Sequence, residues 1–186
     1  MKPAYWDPLP TARSLAPADA AFPVFRGVWA ERNWRNVPGP FYGADTDCMM
    51  MGRDEAPHHI AYDEDGQEFV FRQPVNVHET GNLVRGAQLE LYTAYGCDGD
   101  DHWTVGSVRD WWRDRGRVRE WAVAAAAEWA AYDEDPRYAA HYHEAAQGHR
   151  DFVAHIDDGL EGYLRGYLFW LEHRREPRPG EALPGL

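Results

Sequence analysis

Ile60-Ala61-Tyr62-Asp63-Glu64-Asp65-Gly66-Gln67-Glu68-Phe69-Val70-Phe71-Arg72 reads as a β-hairpin. Two short runs of β-formers flank Asp63-Glu64-Asp65-Gly66, whose side chains favour turn geometry, so residues 58–73 carry the strongest strand signal of the chain. Before it, Cys48-Met49-Met50-Met51 reads as a neighbouring strand closed by Gly52. Residues 24–35 fit a short helix or strand, ended by Pro38-Gly39-Pro40. Residues 3–23 hold Pro3, Pro8, Pro10, Pro17 and Pro23, which predicts an irregular arm with Tyr5-Trp6 packed onto the body. After the hairpin, Gly81-Asn82 predicts a break, with Leu83, Leu89, Leu91 and Tyr92 in a further strand or an irregular helix.

From Thr104 onward the apolar period changes from two to three and four. Thr104 is placed to cap a helix carrying Val105, Val108, Trp111 and Trp112, which Gly116 is expected to end. Adjacent Trp111 and Trp112 point in different directions on a helix, so one of them is expected in the core. A second helix is read over 118–132 from Val118, Trp121, Ala125 and Trp129, and a third begins at Asp135-Pro136. A last one, 149–175, carries Phe152, Ile156, Leu160, Tyr163, Tyr167, Trp170 and Leu171 and is weakened by Gly159, Gly162 and Gly166. The fold class is therefore α+β, a small antiparallel sheet followed by and packed against a predominantly helical C-terminal half. The expected organisation is a proline-rich arm at 1–23, one α+β domain at 24–176 and a flexible tail at 177–186.

The chain of 186 residues has a formal net charge of -12, from 31 acidic and 19 basic residues. That field repels phosphate backbones and anionic lipid, which argues against nucleic acid and membrane as partners and favours a basic protein. No apolar run approaches 18 residues, and Met1-Lys2-Pro3 opens without a signal-peptide pattern. Two cysteines, Cys48 and Cys97, supply neither a disulfide framework nor a thiolate cage, which with the absent leader predicts a cytoplasmic protein.

Two loops combine glycine, aromatic rings and acids: Asn33 to Asp47, and Tyr95-Gly96-Cys97-Asp98-Gly99-Asp100-Asp101-His102-Trp103. Glycine permits tight paths, rings exclude water and carboxylates select donors, so Trp34, Tyr42, Asp45, Trp103 and Asp100 are the expected binding residues, on converging loops. Asp47, His58 and His102 are the candidates for acid–base work. Asp98 to His102 offers oxygen and imidazole ligands, but Arg109 occupies the twelfth position of a calcium loop, so it reads as a solvated turn and no metal is assigned. His-Glu-x-x-His, Gly-x-Ser-x-Gly, Cys-x-x-Cys and glycine-rich phosphate loops are all missing from the sequence, which leaves the cofactor unknown. Asp151 and His155, four apart on a helix, are expected to form an ion pair, and Arg109 to Arg119 a solvated face balanced by acids. Function is read as an acidic, non-catalytic binding protein of inhibitory, immunity-like or regulatory type. Its target is a basic protein or a donor-rich small molecule. The alternative is a small-molecule enzyme, metal-assisted, using the Asp and His residues of a loop-lined pocket.

Overall fold

The computed structural model describes residues 5–20 and 23–186; Pro3 and the Met1-Lys2-Pro3 start lie outside them. The hairpin forms as read, with β2 (Ile60–Tyr62) antiparallel to β3 (Glu68–Val70) and Ile60 facing Val70, Ala61 facing Phe69 and Tyr62 facing Glu68. Asp63 shapes its turn by accepting the backbone N–H groups of Asp65 and Gln67, and Gly66 takes φ +81°. All six strand residues are buried. The period of two sends Ile60, Tyr62 and Val70 to one face and Ala61, Phe69 and Phe71 to the other, so the hairpin is a partition between two apolar clusters.

One cluster gathers Leu83, Val84 and Ala87 of α3 (Val77–Leu89) with Leu9 and Ala12 of α1 (Leu9–Leu15). The α1 helix corrects the reading of an irregular arm: Pro8 and Pro10 stand before and within its first turn, where a missing N–H costs nothing. Tyr5 is buried as expected, its ring 5.5–6.0 Å from those of Tyr163, Tyr167 and Trp170. The α3 helix runs through Gly81-Asn82 because Asn76 and Glu79 cap its start: Asn76 Oδ1 accepts the Glu79 N–H, and Glu79 Oε2 accepts that of Val75. No strand forms at Cys48–Met51, which bends into a helical turn α2 (Gly52–Glu55). A second two-stranded sheet pairs β1 (Tyr42–Gly43) with β4 (Tyr95–Gly96), and residues 24–35 contribute a Phe25–Ala94 bridge and a 3-10 turn at Trp29–Glu31.

The other cluster draws on the helical half, α5 (Val105–Ala130), α6 (Pro136–Asp157) and α7 (Leu160–His173), entered through a single turn α4 (Gly99–His102), while Trp129 of α5 and Ala145 and Ala146 of α6 reach into the first cluster. A reciprocal cap between Thr104 and Ser107 starts α5. Gly116 does not end it. A mid-helix glycine costs about 1 kcal/mol, less than the packing of α5 along α6 returns. The two helices read over 104–116 and 118–132 are thus one. Conversely, the stretch read as one helix over 149–175 is two, broken where Gly159 takes φ +103°, a left-handed conformation that favours glycine. Trp111 and Trp112 are both half-buried, each packed on the edge of the core, so neither is the core residue expected. Leu183, Pro184 and Gly185 lie against the helices, Arg165 donating to the carbonyls of Leu183 and Pro184 and Arg109 to that of Gly185.

Polar brackets join the halves. Arg53 of α2, buried, donates to the carbonyls of Pro57 and Ile60 and to the Glu144 carboxylate of α6. His149 Nε2–H donates to the Tyr62 carbonyl at 2.7 Å, and burial holds this imidazole down to about 4, so it is neutral. No helix among the described residues is long and apolar enough to cross a membrane.

Candidate functional site

The two aromatic loops do converge, through the β1–β4 pairing and a bond from Gly99 N–H to the Pro40 carbonyl at 3.0 Å. Their approach requires Gly96, since a Cβ there would land in the Tyr42 ring. Trp29 organises the junction. Tyr42 and Trp103 each meet its ring edge-on at 5.2 Å, His102 stacks on it at 4.8 Å, and the Arg32 guanidinium sits 4.0 Å from its centroid. The Tyr42 hydroxyl donates to Asp98 Oδ1 at 2.7 Å, and His102 Nε2 lies 3.1 Å from Asp98 Oδ2. Burial and the Asp98 contact push the Tyr42 phenol further above its ordinary value, so it remains protonated. Asp100 points inward and accepts from Tyr167 Oη at 2.7 Å and Trp170 Nε1 at 3.2 Å, tying α4 to α7. Burial raises its carboxyl, and those two bonds oppose the rise.

The remaining expected site residues stand elsewhere. Trp34 is packed between guanidinium groups, Arg35 at 4.5 Å and Arg117 at 4.2 Å. Asp45, exposed, accepts from Gln67 Nε2. His58 is exposed on the rim of a cleft beside α6 and α7. Asp47, His58 and His102 therefore occupy three separate surroundings.

Asp47 has a different task. Its buried carboxylate accepts the backbone N–H groups of Met49 and Leu91 at 2.8 and 2.7 Å. Its own N–H donates to Glu90 Oε1, and the Glu90 carboxylate also accepts from the N–H groups of Tyr92 and Ala94. Two buried acids thus clamp the 47–51 loop to the 90–94 loop through main-chain donors. The clamp holds Met50 at φ 58° and Thr93 at φ 55°, left-handed values that cost non-glycine residues of order 1–3 kcal/mol each. What it presents to solvent is apolar: Met49 is 56% exposed, Leu91 71% and Tyr92 69%. The Asp47-x-Met49 spacing is that of an Asx turn, the one sequence signal for this clamp; Glu90, distant in sequence, had none.

Beside that patch, Cys48 and Met50 line a cleft of about 400 Å³ with Glu64, Asp65, Glu128 and the Trp129 ring. Tyr132 and Tyr142, stacked at 3.9 Å, form another wall, and no Lys or Arg among the described residues lines it. Both cysteines are free, and burial beside Asp98 pushes the Cys97 thiol up to about 11, which removes its nucleophilic thiolate at neutral pH. Asp151 and His155 do not pair: Gln147 Nε2 donates to Asp151, and the His155 Nε2 atom is buried without a partner. Three of the five arginines of α5 are balanced by acids, Arg113 by Asp110, Arg117 by Asp114 and Arg119 by Asp157, whereas Arg109 and Arg115 donate to the carbonyls of Gly185 and Trp112. No cluster of three potential metal ligands occurs among the described residues. No protein-family model, no curated protein and no solved structure matches the chain.

Proposed function

We propose that this chain is a non-catalytic binding protein that docks a basic protein partner on the face formed by the 47–51 and 90–94 loops, so that occupancy itself inhibits, neutralises or regulates the partner. The carrying observation is the Asp47–Glu90 clamp. Two buried carboxylates hold three apolar side chains out in water, an arrangement that destabilises the free protein and is recovered when a partner covers them. Rigid anchors lose little entropy on docking, as binding hot spots require. The surrounding charge selects the partner's sign: Asp45 is exposed two residues before the 47–51 loop, and the adjoining cleft offers Glu64, Asp65 and Glu128 beside aromatic walls suited to a Lys or Arg side chain. The net charge of -12 adds long-range attraction for the same partners.

The test is capture of partners by immobilised protein in native-host extract, their identification by mass, and calorimetry with each purified candidate at low and high salt. A basic partner is expected, with affinity that falls as salt rises and is reduced at least about tenfold by the double change Leu91→Asp with Tyr92→Ser, equivalent to about 1.4 kcal/mol. A purified partner that binds this double variant and Glu128→Lys as tightly as the parent would remove the assignment.

A further inference from the structure

The 47–51 and 90–94 loops are joined by a second bridge besides the Asp47–Glu90 clamp. Glu68, the first residue of β3 and 1% exposed, touches both loops from the inner side. Its backbone N–H donates to Thr46 Oγ1 at 2.7 Å, and its Oε1 accepts the Gly52 N–H at 2.7 Å, so one residue holds the 47–51 loop at either end. A Cβ on Gly52 would strike the Glu68 carboxyl, which makes glycine necessary for this approach. The other carboxyl oxygen, Oε2, lies 2.6 Å from the Oη of Tyr95, the residue that follows the 90–94 loop. Across the hairpin from Glu68, Tyr62 donates to the Met50 carbonyl at 2.6 Å and fixes the middle of the first loop to the same strands.

Three buried carboxyls thus meet beneath the docking face, Asp47, Glu68 and Glu90, and none of them enters an ion pair among the described residues. Asp47 is met by the N–H groups of Met49 and Leu91, and Glu90 by those of Asp47, Tyr92 and Ala94. Glu68 has a single backbone donor and a phenol, so as an anion it is the least supported of the three. Burial first, with Asp47 and Glu90 adding, pushes its carboxyl up to about 7 against the pull of those two bonds. The groups on the surrounding elements do not offset its charge. Burial, reinforced by Glu68, raises the Tyr62 and Tyr95 phenols well above their ordinary value, so both stay protonated. The Arg53 guanidinium of α2 is turned to Glu144 and to the carbonyls of Pro57 and Ile60. From α6, the neutral His149 reaches the Tyr62 carbonyl.

We propose that Glu68 is a proton-operated latch beneath the docking face: carrying its proton it seals the 47–51 and 90–94 loops against the hairpin, and once ionised it lets them part more readily, so the face is held in shape in acid and slackens toward alkaline pH. Opening the loops admits water to Glu68 and returns it toward its ordinary 4.5, so each opening releases the proton that the closed form holds. Between 4.5 and about 7 opening therefore becomes easier as pH rises, by up to about tenfold per unit; above 7 the closed form is ionised as well and the change levels off. The use of the latch rests on the docking reading given above, whereas its action is a property of the free chain.

Amide hydrogen exchange of the full chain without any partner, at steps from pH 5 to 8 and expressed as protection relative to the unstructured rate, tests the latch. Protection of the Met49, Gly52, Leu91 and Ala94 amides is expected to fall at least about tenfold over the series, most of it below pH 7. Glu68→Gln keeps the size and the acceptor for Gly52 N–H, and its protection at the same amides is expected to stay constant within about twofold. Carboxyl-carbon NMR of the wild type needs no variant, and Glu68 is expected to titrate there at about 7. Wild-type protection that is flat within about twofold from pH 5 to 8, a Glu68 midpoint no higher than about 5.5, or a folded Glu68→Gln with the same fall as the parent overturns the proposal. A flat profile removes the latch and leaves docking to be judged by capture of a partner; an absent partner removes the docking reading and leaves the exchange result standing.

Discussion

Glu68→Gln should reshape the pH dependence of stability. The Glu68 carboxyl is buried between Gly52 N–H at 2.7 Å and Tyr95 Oη at 2.6 Å, facing the charges of Asp47 and Glu90 with no cation among its bonds. Burial first, then those two carboxylates, push it from 4.5 up to about 7 against the pull of its two hydrogen bonds. The native state then holds a proton that the unfolded chain releases at about pH 4.5, so between 4.5 and 7 this group's contribution to stability declines as pH rises. About 2.5 pH units at 1.36 kcal/mol each gives a loss of about 3 kcal/mol across that window. His149 and His155, both held down to about 4, act oppositely: the unfolded chain binds their protons first, so they add stability as pH rises from about 4 to 6.5. The wild type should therefore climb to about pH 6.5 and then dip as Glu68 ionises. Glutamine keeps the size and the acceptor for Gly52 N–H but cannot ionise. Urea denaturation followed by tryptophan fluorescence at steps from pH 4.5 to 8 should show the variant gaining on the wild type by about 3 kcal/mol across the series, with the dip gone. Curves that stay parallel within about 0.5 kcal/mol would refute the burial of an uncompensated carboxyl at this position.

Asp47→Ala should cost about 2–4 kcal/mol in chemical denaturation, because the Met49 and Leu91 N–H groups lose their acceptor, and hydrogen exchange should accelerate in both loops and not in α6. The docking variant with Leu91→Asp and Tyr92→Ser should leave the melting free energy within about 1 kcal/mol, since both side chains stand in solvent. Phe152→Ala should cost about 3–5 kcal/mol, as its buried ring lies 5.6 Å from both Phe69 and Phe71. Gly96→Ala should cost about 3 kcal/mol or more by driving the Tyr42 ring out of the loop junction, visible as altered near-UV dichroism.

The hairpin, the helical half and the helix start at Asp135-Pro136 were legible because each rests on local chemistry: turn acids, apolar spacing, a proline at a first turn. Helix ends marked by glycine alone were not. Gly116 and Gly159 look alike in sequence, yet one lies inside a continuous helix supported by α6 and the other adopts a positive φ that splits two helices. Tertiary packing decided the first case and backbone conformation the second. The convergence of the aromatic loops was readable from their shared glycine and aromatic composition. The roles within them were not, because an aspartate that caps main-chain donors and one that faces a ligand have the same letter: Asp47 and Asp100 both turn inward.

Because one thin hairpin walls off both apolar clusters, neither side can open alone without wetting the reverse face of the same strands. The cost of exposing Phe69 to water is shared by Val70, and fraying on the α1–α3 side is felt by α6 through Ile60 and Tyr62. The backbone amides of these strands are therefore expected to exchange only through the highest-energy opening of the chain, while the clamped loops and the ends of α5 and α6 breathe at lower energy. A chain with such short strands obtains its cooperativity from a membrane-thin seam used twice, and a single polar substitution on either face of it should loosen both halves in one transition.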